Sequence, residues 1–501
     1  MQAIVSPQHA ESPLVLALDI GSSSVRAALY DRLGRAVSEV EARRGHQLQT
    51  DSSGAAVADA DELVRLTCQC IDETLDRAGA LADDIAAVAG CSFVGNLLGV
   101  DRDGRPVTPL FTYADTRAAA DAELLKQTLD EERCHQRTGV RFHPSYGAVQ
   151  LHWLQRAQPK LFGRAARWVS LGEYLETALF GQGGTSHSVA SWSGLLDRQT
   201  LGWDEELLAA LRLRPDKLPR LVKFSSPRDG LLPEVVRRWP ALNNARWFPL
   251  IGDGAAANLG SGCVSPSRIA LTMGTSTALR AVTDDSVERL PAGLWCYRVD
   301  ERRSLPGGAL TEGGSVYAWL RQSLQLPEPE ELEAILAQDE PDGHGLTVLP
   351  LLSGERAPGW AGHARATIHG LTLATRPADI VRASLEAVAY RVALVYDDLR
   401  ALLPGQPQIV VSGGALASSP AWLQVVADAL GRPLTLSAAP EASARGAALL
   451  ALETISALPG IDQAPDFLGA TAEPDIQRHE VYRRAIARQQ ELYDRLVRDP
   501  L

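Results

Sequence analysis

Short hydrophobic runs alternate with longer amphipathic stretches along most of the chain. Residues 14–18 and 25–30 predict two buried strands, which a turn of small polar residues joins into a hairpin. This alternation predicts an α/β protein in which helices cover a sheet. Apolar positions recurring at helical spacing predict helices over 60–78, 116–129, 149–157, 204–211, 380–403, 420–430, 444–457 and from 480 onward, and further apolar runs predict strands over 85–92, 409–411 and 434–436.

A second copy of the first hairpin occurs about half the chain length later. The run around Gly274 matches the run around Gly21 in length and in the order of apolar and small polar positions. Self-similarity at such a distance indicates an internal duplication. We therefore predict two lobes, an N-terminal one over residues 12–256 and a C-terminal one over residues 257–490.

Composition and charge exclude several classes of protein. The 501-residue chain has 49 Lys+Arg and 61 Asp+Glu, a formal net charge of −12, which argues against nonspecific binding to nucleic acid or to an anionic membrane surface. None of the four lysines follows a glycine, so a P-loop is excluded, and the protein-kinase motifs His-Arg-Asp and Asp-Phe-Gly are missing. The six cysteines lack Cys-x-x-Cys spacing and no apolar run is long enough to span a membrane, which predicts a reduced, cytoplasmic protein.

Two turns of small hydroxyl residues can bind phosphate. Gly21-Ser-Ser-Ser24 and Gly274-Thr-Ser-Thr277 each present backbone N–H groups and hydroxyls to one anion. Either turn alone is equally typical of an ordinary hairpin, but their duplication favours phosphate binding. Asp19, beside the first turn, either caps that turn or holds a Mg²⁺ ion that separates its carboxylate from the phosphate. The second copy has Thr272 at this position, so the first turn alone is predicted to hold a metal.

Two further glycine-rich segments carry candidate chemistry. Asp253, between Gly252 and Gly254, is either a helix N-cap or a general base for a substrate hydroxyl, and its place ahead of the second turn favours the base. The segment Ser412-Gly-Gly414 follows a predicted strand and lets a flat ligand such as adenine lie on the backbone. Its spacing is not Gly-x-Gly-x-x-Gly, so a dinucleotide site is excluded.

Taken in order, these segments resemble the FGGY family of carbohydrate kinases. The resemblance extends from about residue 14 to residue 455 and includes Tyr113-Ala-Asp-Thr-Arg117, Ser193-Gly-Leu-Leu-Asp197 and Leu351-Leu-Ser-Gly-Glu-Arg-Ala-Pro-Gly-Trp360. It implies a duplicated two-lobe fold of the actin-like, ribonuclease H-like type, with a cleft between the lobes. It also implies transfer of the γ-phosphate of ATP, with Mg²⁺, to a hydroxyl of a sugar, sugar acid or polyol.

The resemblance assigns roles to individual positions. Asp253 matches the catalytic base, and Asp19 matches the aspartate that holds Mg²⁺ through water. The positions that match ATP-binding residues are Gly21, Ser22, Ser23, Ser24, Gly274, Thr275, Gly314, Gly414 and Ser418. The candidates for the sugar pocket, besides Asp253, are Asn96, Tyr113, Asp115, Arg117, His143, Ser145 and Tyr146.

The sugar pocket departs from the patterns of the family. Gly95 stands where many xylulokinase-like and gluconokinase-like members have a histidine, and Asn96 is expected to bind a sugar hydroxyl in its place. The His-Pro run at His143 is similar to gluconokinase-like sequences and favours gluconate as acceptor. Arg117 or His143 is then expected to meet the acid's carboxylate, the alternative being that Arg117 pairs with Asp115.

Other functions stay open from the sequence alone. A ketopentose or polyol kinase differs in its acceptor, an actin-like ATPase hydrolyses ATP without a sugar, and a non-catalytic relative only binds sugar. Glu355 and Arg356 are expected to form an ion pair between the lobes. The expected partner is a small-molecule sugar or polyol, and the sequence leaves a monomer and a homodimer both open.

Overall fold

Two seven-stranded sheets, one in each half of the chain, form the centres of two lobes. The computed structural model describes residues 2–284 and 287–498. The α/β class predicted from the sequence is confirmed. In spatial order the first sheet contains Ile4–Val5, Ala36–Gly45, Ser24–Tyr30, Leu14–Ile20, Ile85–Ser92 and Arg246–Trp247, and Ile251–Gly252 also pairs with Ile85–Ser92. The second sheet contains Trp295–Arg298, Ser304–Leu310, Thr277–Ala281, Arg268–Met273, Gln408–Ser412, Leu434–Ser437 and Leu468–Ala472.

The two sheets share one topology around the duplicated hairpin. In each sheet the first strand of the hairpin pairs antiparallel with the second, and parallel with a strand that arrives later in the chain. The later strands are Ile85–Ser92 in the first sheet and Gln408–Ser412 in the second. The carboxyl ends of the parallel strands therefore lie beside the hairpin turn in both lobes, where side chains from three segments can meet.

Helices cover both sheets, and short strand pairs lie outside them. In the first half the α-helices are Ala60–Ala78, Ala119–Thr128, Glu131–Thr138, Gly147–Ala157, Pro159–Arg164, Leu171–Phe180, His187–Ser191, Glu205–Ala210, Pro233–Arg238 and Asp253–Gly260. In the second half they are Gly314–Ser323, Pro329–Gln338, Pro377–Arg400, Gly414–Ala417, Pro420–Leu430, Ala442–Thr454 and Ile476–Tyr493. The short strands are Gln49–Thr50, Ala56–Ala58, Leu98–Val100, Leu110–Phe111, Arg167–Val169, Thr185–Ser186, Leu221–Val222, Thr347–Leu349 and Thr367–His369.

Only the helices Ala60–Ala78 and Pro420–Leu430 have the predicted bounds, and two of the others show why bounds shift. The helix predicted over 380–403 is Pro377–Arg400, because a proline at its first turn and the Asp379 carboxylate, which accepts the Arg376 N–H over 2.8 Å, start it earlier. The helix predicted over 116–129 is Ala119–Thr128, because the residues before it form a turn. Hydrophobic periodicity locates a helix, whereas capping residues decide where it begins.

The lobes meet in a shared core, where two helices cross. The predicted boundary between residues 256 and 257 lies inside the helix Asp253–Gly260, which packs against Ala442–Thr454 from the other half of the chain. Buried residues of Ala442–Thr454 also pack against Leu14–Ile20 of the first sheet. A Cβ on Gly446 would stand 1.8 Å from the carbonyl oxygen of Ala256, so glycine is required at this crossing.

Candidate active site

A cleft of about 360 Å³ opens between the lobes, and Asp253 lines it. A ligand in this cleft contacts both halves of the chain. The predicted site residues in its lining are Ser22, Tyr113, His143, Ser145, Tyr146 and Asp253. The second half contributes Thr272, Ser276, Arg280, Tyr297, Arg356 and Ser443.

Asp19 and Asp253 approach the strand Ile85–Ser92 from its two sides. Cys91 of this strand is the register partner of Asp19 on one side and, on the other, of Ile251, which lies two residues before Asp253. The buried Cys91 thiol donates to Oδ1 of Asp19 over 3.4 Å. The sheet therefore brings together two carboxylates that are far apart in the sequence.

Burial raises the pKa of both carboxyl groups. For Asp253, burial and the negative charge of Asp19 raise the pKa to about 6, although the Gly254 N–H and the Arg280 guanidinium lower it. Oδ1 of Asp253 accepts that N–H over 2.7 Å, and Asp253 is the first residue of its helix rather than the N-cap. For Asp19, burial raises the pKa and the Cys91 thiol lowers it. A carboxylate with a pKa near 6 is ionised at neutral pH and is a stronger base than an exposed one.

In each predicted phosphate turn the glycine N–H donates to a carbonyl oxygen further along the turn, three residues on in the first and two residues on in the second. The Gly21 N–H donates to Ser24 O over 2.9 Å, and the Gly274 N–H donates to Ser276 O over 3.0 Å. A helix begins at Gly314, whose N–H donates to Gly274 O over 2.7 Å. A Cβ on Gly314 would stand 2.9 Å from the same oxygen. Glycine thus lets this helix begin directly on the second turn.

The hydroxyl residues of the turns differ in their surroundings. Ser22 lines the cleft, and its Oγ accepts the Tyr113 hydroxyl over 3.4 Å. Ser23 and Thr275 are exposed. Ser24 begins a strand, and its Oγ accepts an arginine Nε of the neighbouring strand over 3.2 Å. Ser22, Ser23 and Thr275 are therefore accessible to an anion, whereas the Ser24 hydroxyl is engaged within the first sheet.

The predicted adenine segment forms an open stretch of backbone beside the second turn. Gly413 has φ +96°, and a Cβ there would stand 2.3 Å from Met273 O, so glycine permits this close approach. Around Gly414, by contrast, no atom of the described residues lies within 4 Å of the position that a Cβ would take. The Ser418 hydroxyl donates to Gly414 O over 2.7 Å and closes the short helix. This surface can accept a flat ring against the backbone.

Three residues predicted to bind sugar are engaged elsewhere and do not line the cleft. Oδ1 of Asn96 accepts a backbone N–H over 2.8 Å, and its amide donates to Phe93 O. Arg117 forms a two-point ion pair with Asp115, with Nε 3.0 Å from Oδ1. The structure thus shows the alternative in which Arg117 pairs with Asp115. We leave all three residues out of the proposed acceptor site.

Sequence reasoning misses two arginines of the cleft. The predicted ion pair between Glu355 and Arg356 is wrong, because Glu355 pairs with Arg391 and accepts the Tyr493 hydroxyl over 2.6 Å, all within the second half. This pairing leaves Arg356 in the cleft lining. Arg280 lies on the strand that follows the second turn. A charged residue inside an otherwise buried strand is the sequence signal that could have identified it as a site residue.

A cluster outside the cleft brings together three possible metal ligands, Asp342, His344 and Glu386. Arg382 donates to Glu386 over 2.5 Å, and Arg488 donates to Asp342 over 3.0 Å. Because guanidinium groups already balance these carboxylates, the cluster acts as an internal ion-pair network of the second lobe.

Comparison with known proteins identifies the family of this chain. The N-terminal domain of the FGGY family of carbohydrate kinases matches residues 14–260, and the C-terminal domain matches residues 269–454. The chain belongs to this family. A gluconokinase of Bacillus licheniformis is 27% identical over 468 residues, which cover 91% of this chain and 90% of the relative. A glycerol kinase of Rhizorhabdus wittichii is 30% identical over 477 residues, which cover 91% of each chain. The solved structure of a ligand-bound xylulose kinase from Lactobacillus acidophilus matches with a TM-score of 0.87 at 25% identity, covering 96% of this chain and 98% of that one.

Membership of the FGGY family confirms the predicted fold and reaction class. The fold is the duplicated, actin-like one, and the activity is ATP-dependent phosphoryl transfer to an alcohol group of a carbohydrate. An ATPase outside the carbohydrate kinases is thereby excluded. Among the helices of the described residues, none combines the length and apolar character needed to cross a membrane.

Proposed function

We propose that this FGGY kinase phosphorylates a hydroxyl of a sugar acid of the gluconate type, with Asp253 as general base. The observation that carries the proposal is the place of Asp253, whose carboxylate lines the cleft with Tyr113 and His143 and has a pKa of about 6. Gluconokinases of Bacillus licheniformis and Bacillus subtilis, each 27% identical to this chain, support an acid as acceptor.

In the proposed mechanism the two turns hold the phosphates and Asp253 activates the acceptor. Phosphoryl transfer depends on alignment and charge neutralisation more than on covalent chemistry. The acceptor hydroxyl loses its proton to Asp253 while its oxygen attacks the γ-phosphorus and ADP leaves. Closure of the lobes excludes water, which otherwise competes as acceptor. The residues proposed to hold ATP are Gly21, Ser22, Ser23, Ser24, Gly274, Thr275, Gly314, Gly414 and Ser418.

The surroundings of Asp19 fit a Mg²⁺ ion. Its Oδ1 accepts the Cys91 thiol, and its Oδ2 has no hydrogen-bond partner among the described residues. Mg²⁺ prefers carboxylate oxygen and keeps several waters, so one aspartate beside a phosphate turn suits it. When bound, the ion neutralises part of the negative charge of the phosphates.

His143 is proposed to act as a neutral hydrogen-bond donor in the acceptor site. Burial and the nearby charge of Arg356 lower its pKa to about 3, so the ring is neutral at physiological pH. Its Nδ1 accepts the Ser145 N–H over 3.2 Å, which leaves the proton on Nε2. With Tyr113 and Tyr146 it can bind hydroxyl groups. Because the ring is neutral, an ion pair between His143 and the acceptor's carboxylate is not part of the proposal.

A neutral sugar or polyol is the second candidate acceptor, supported by the xylulose kinase structure and the glycerol kinase relatives. ADP release with MgATP is measured with gluconate, other aldonates, xylulose, ribulose, glycerol and erythritol. The proposal expects an aldonate to give the highest kcat/KM. A higher value with a neutral compound assigns the second candidate, and no acceleration by any compound contradicts both.

The general-base role predicts an acidic limb in the pH profile. Protonation removes the base, so kcat/KM for the acceptor at saturating ATP is expected to fall about tenfold per pH unit below about 6 and to level off above it. The profile is measured at constant ionic strength, and activity is re-measured at neutral pH after each acid incubation to exclude unfolding. A limb near 4, the ordinary range of an exposed aspartate, would argue against Asp253 as the titrating base.

The metal role of Asp19 predicts a changed Mg²⁺ requirement. Asp19→Asn keeps the shape of the side chain and an oxygen for the Cys91 thiol but removes the charge. We expect the Mg²⁺ concentration for half-maximal rate to rise at least about tenfold. The matched control is Asp76→Asn on an exposed helix position. Superimposable Mg²⁺ titrations of wild type and Asp19→Asn would remove Asp19 from the metal site.

A further inference from the structure

Two half-buried arginines of the cleft have fewer partners than buried arginines of the second half. Arg280 and Arg356 both line the cleft, and neither has an ion pair among the described residues. The Nε of each is buried without a hydrogen-bond partner. The guanidinium of Arg356 donates to Leu310 O over 2.9 Å, whereas the guanidinium of Arg280 has no hydrogen-bond partner among the described residues.

Three buried arginines of the second half are paired or hydrogen-bonded within the chain. Arg382 pairs with Glu386, and Arg303 pairs with Asp300 over 3.1 Å. Arg445 donates to three backbone carbonyl oxygens. A guanidinium removed from water costs free energy unless it is paired or fully hydrogen-bonded. The two cleft arginines have less of this internal compensation and can bind an anion from outside the chain.

The surroundings of the arginines place this anion on the acceptor side of the cleft. Burial has the largest effect on the pKa values of His143, Tyr146 and Tyr297, and the nearby positive charge of Arg356 lowers all three. The two tyrosine hydroxyls lie 2.6 Å apart. The charge of Arg280 interacts electrostatically with Asp253 and with Tyr297. A Cβ on Gly254, the residue after the base, would stand 3.3 Å from Nε of Arg280. The arginines thus adjoin Asp253, the proposed base, and the cleft residues Tyr146 and Tyr297.

We propose that Arg280 and Arg356 bind the carboxylate of a sugar-acid acceptor and so determine its selection over neutral polyols. This inference rests on the proposed function and names the residues that give it specificity. A guanidinium donates two parallel N–H bonds to a carboxylate, a geometry that neutral hydroxyls cannot match. A site built around such bonds rejects an analogue that lacks the group, because its charged donors are then left unpaired.

Gluconate and glucitol provide the test, since they differ in the carboxylate alone, which glucitol replaces with a CH₂OH group. The ratio of kcat/KM for gluconate to that for glucitol is measured for wild type, Arg280→Met and Arg356→Met. We expect each substitution to lower this ratio by at least about 100-fold. The control is Arg102→Met on the exposed surface, which is expected to leave the ratio as in wild type. A ratio that either cleft variant preserves overturns the proposal for that residue.

A binding measurement separates this proposal from the kinase mechanism. Calorimetry with gluconate, without ATP, uses Asp253→Asn protein with and without Arg280→Met. Gluconate binding that the added substitution weakens at least about tenfold supports the carboxylate site even if turnover fails. Equal affinities overturn it. A large rise in KM for ATP with an unchanged gluconate-to-glucitol ratio would assign the arginines to the phosphates instead. Phosphorylation of neutral polyols alone would reject the carboxylate site but would leave the proposed kinase mechanism standing.

Discussion

Replacing Asp253 with asparagine is expected to lower kcat for phosphoryl transfer by about 10²–10⁴-fold, the range by which a positioned general base accelerates a reaction. Asparagine retains the shape of the side chain and an oxygen that can accept the Gly254 N–H, which is 2.7 Å from Oδ1 of Asp253. It cannot take the proton of the acceptor hydroxyl. The loss is measured as ADP release under saturating acceptor and MgATP.

Folding and binding controls make this result specific. Burial raises the pKa of Asp253 from 3.8 to about 6, so ionised Asp253 destabilises the fold, increasingly from pH 3.8 upward and fully above about 6. Asparagine removes this charge, and at pH 7 the variant should unfold at the wild-type temperature or above it. Acceptor binding measured by calorimetry should persist. A variant that keeps more than about a tenth of wild-type kcat, far above the range for loss of a base, would rule out Asp253 as the base.

The duplicated hairpins could be predicted because their signals are local. The turn at Gly21 and the turn at Gly274 each need only an apolar run, a glycine and small polar residues, all within one short segment. The signal that makes Asp253 a candidate is local as well, since its flanking glycines stand beside it. In the structure these segments meet at the carboxyl ends of parallel strands. Their meeting there follows from the sheet topology that both halves repeat.

The residues proposed to contact the acceptor were less predictable, because partners far away in the sequence bind their side chains or those of their neighbours. Asn96 bonds the start of the helix Leu171–Phe180, and Arg356 is left in the cleft because Glu355 pairs with Arg391 instead. Neither partner can be found from the residues next to these positions. A polar residue near a site in the sequence reaches the ligand only if no nearer group satisfies it, and that competition is settled by tertiary packing.

The lobe boundary depends on tertiary packing as well. The sequence signals for an end of a domain are local changes in composition, whereas here the helix Asp253–Gly260 ends one half of the chain and packs against Ala442–Thr454 of the other. Asp253, the proposed base, stands at the start of this helix. The position of Asp253 in the cleft therefore depends on packing between segments that are far apart in the sequence.

Substituting Gly446 with alanine at this crossing is expected to destabilise the folded chain by about 3 kcal/mol, at the upper end of the range for overpacking. The added Cβ would stand 1.8 Å from Ala256 O and 2.8 Å from Gly260 N, and both atoms belong to the backbone of the facing helix. Backbone atoms cannot rotate away as a side chain can, so the two helices must separate. The loss is measured as a lower urea midpoint by circular dichroism, together with a lower kcat because the separating helix carries Asp253.

The same substitution at Gly163 separates this contact from the general effect of alanine in a helix. Gly163 is exposed in the helix Pro159–Arg164, and no described atom lies within 4 Å of the position of its Cβ. Alanine there relieves the conformational cost of glycine and should stabilise the chain by about 0.5–1 kcal/mol. Opposite signs for the two variants are the expected result. If Gly446→Ala unfolds at the wild-type urea concentration, the helices can move apart without cost, and the crossing then does not set the position of Asp253.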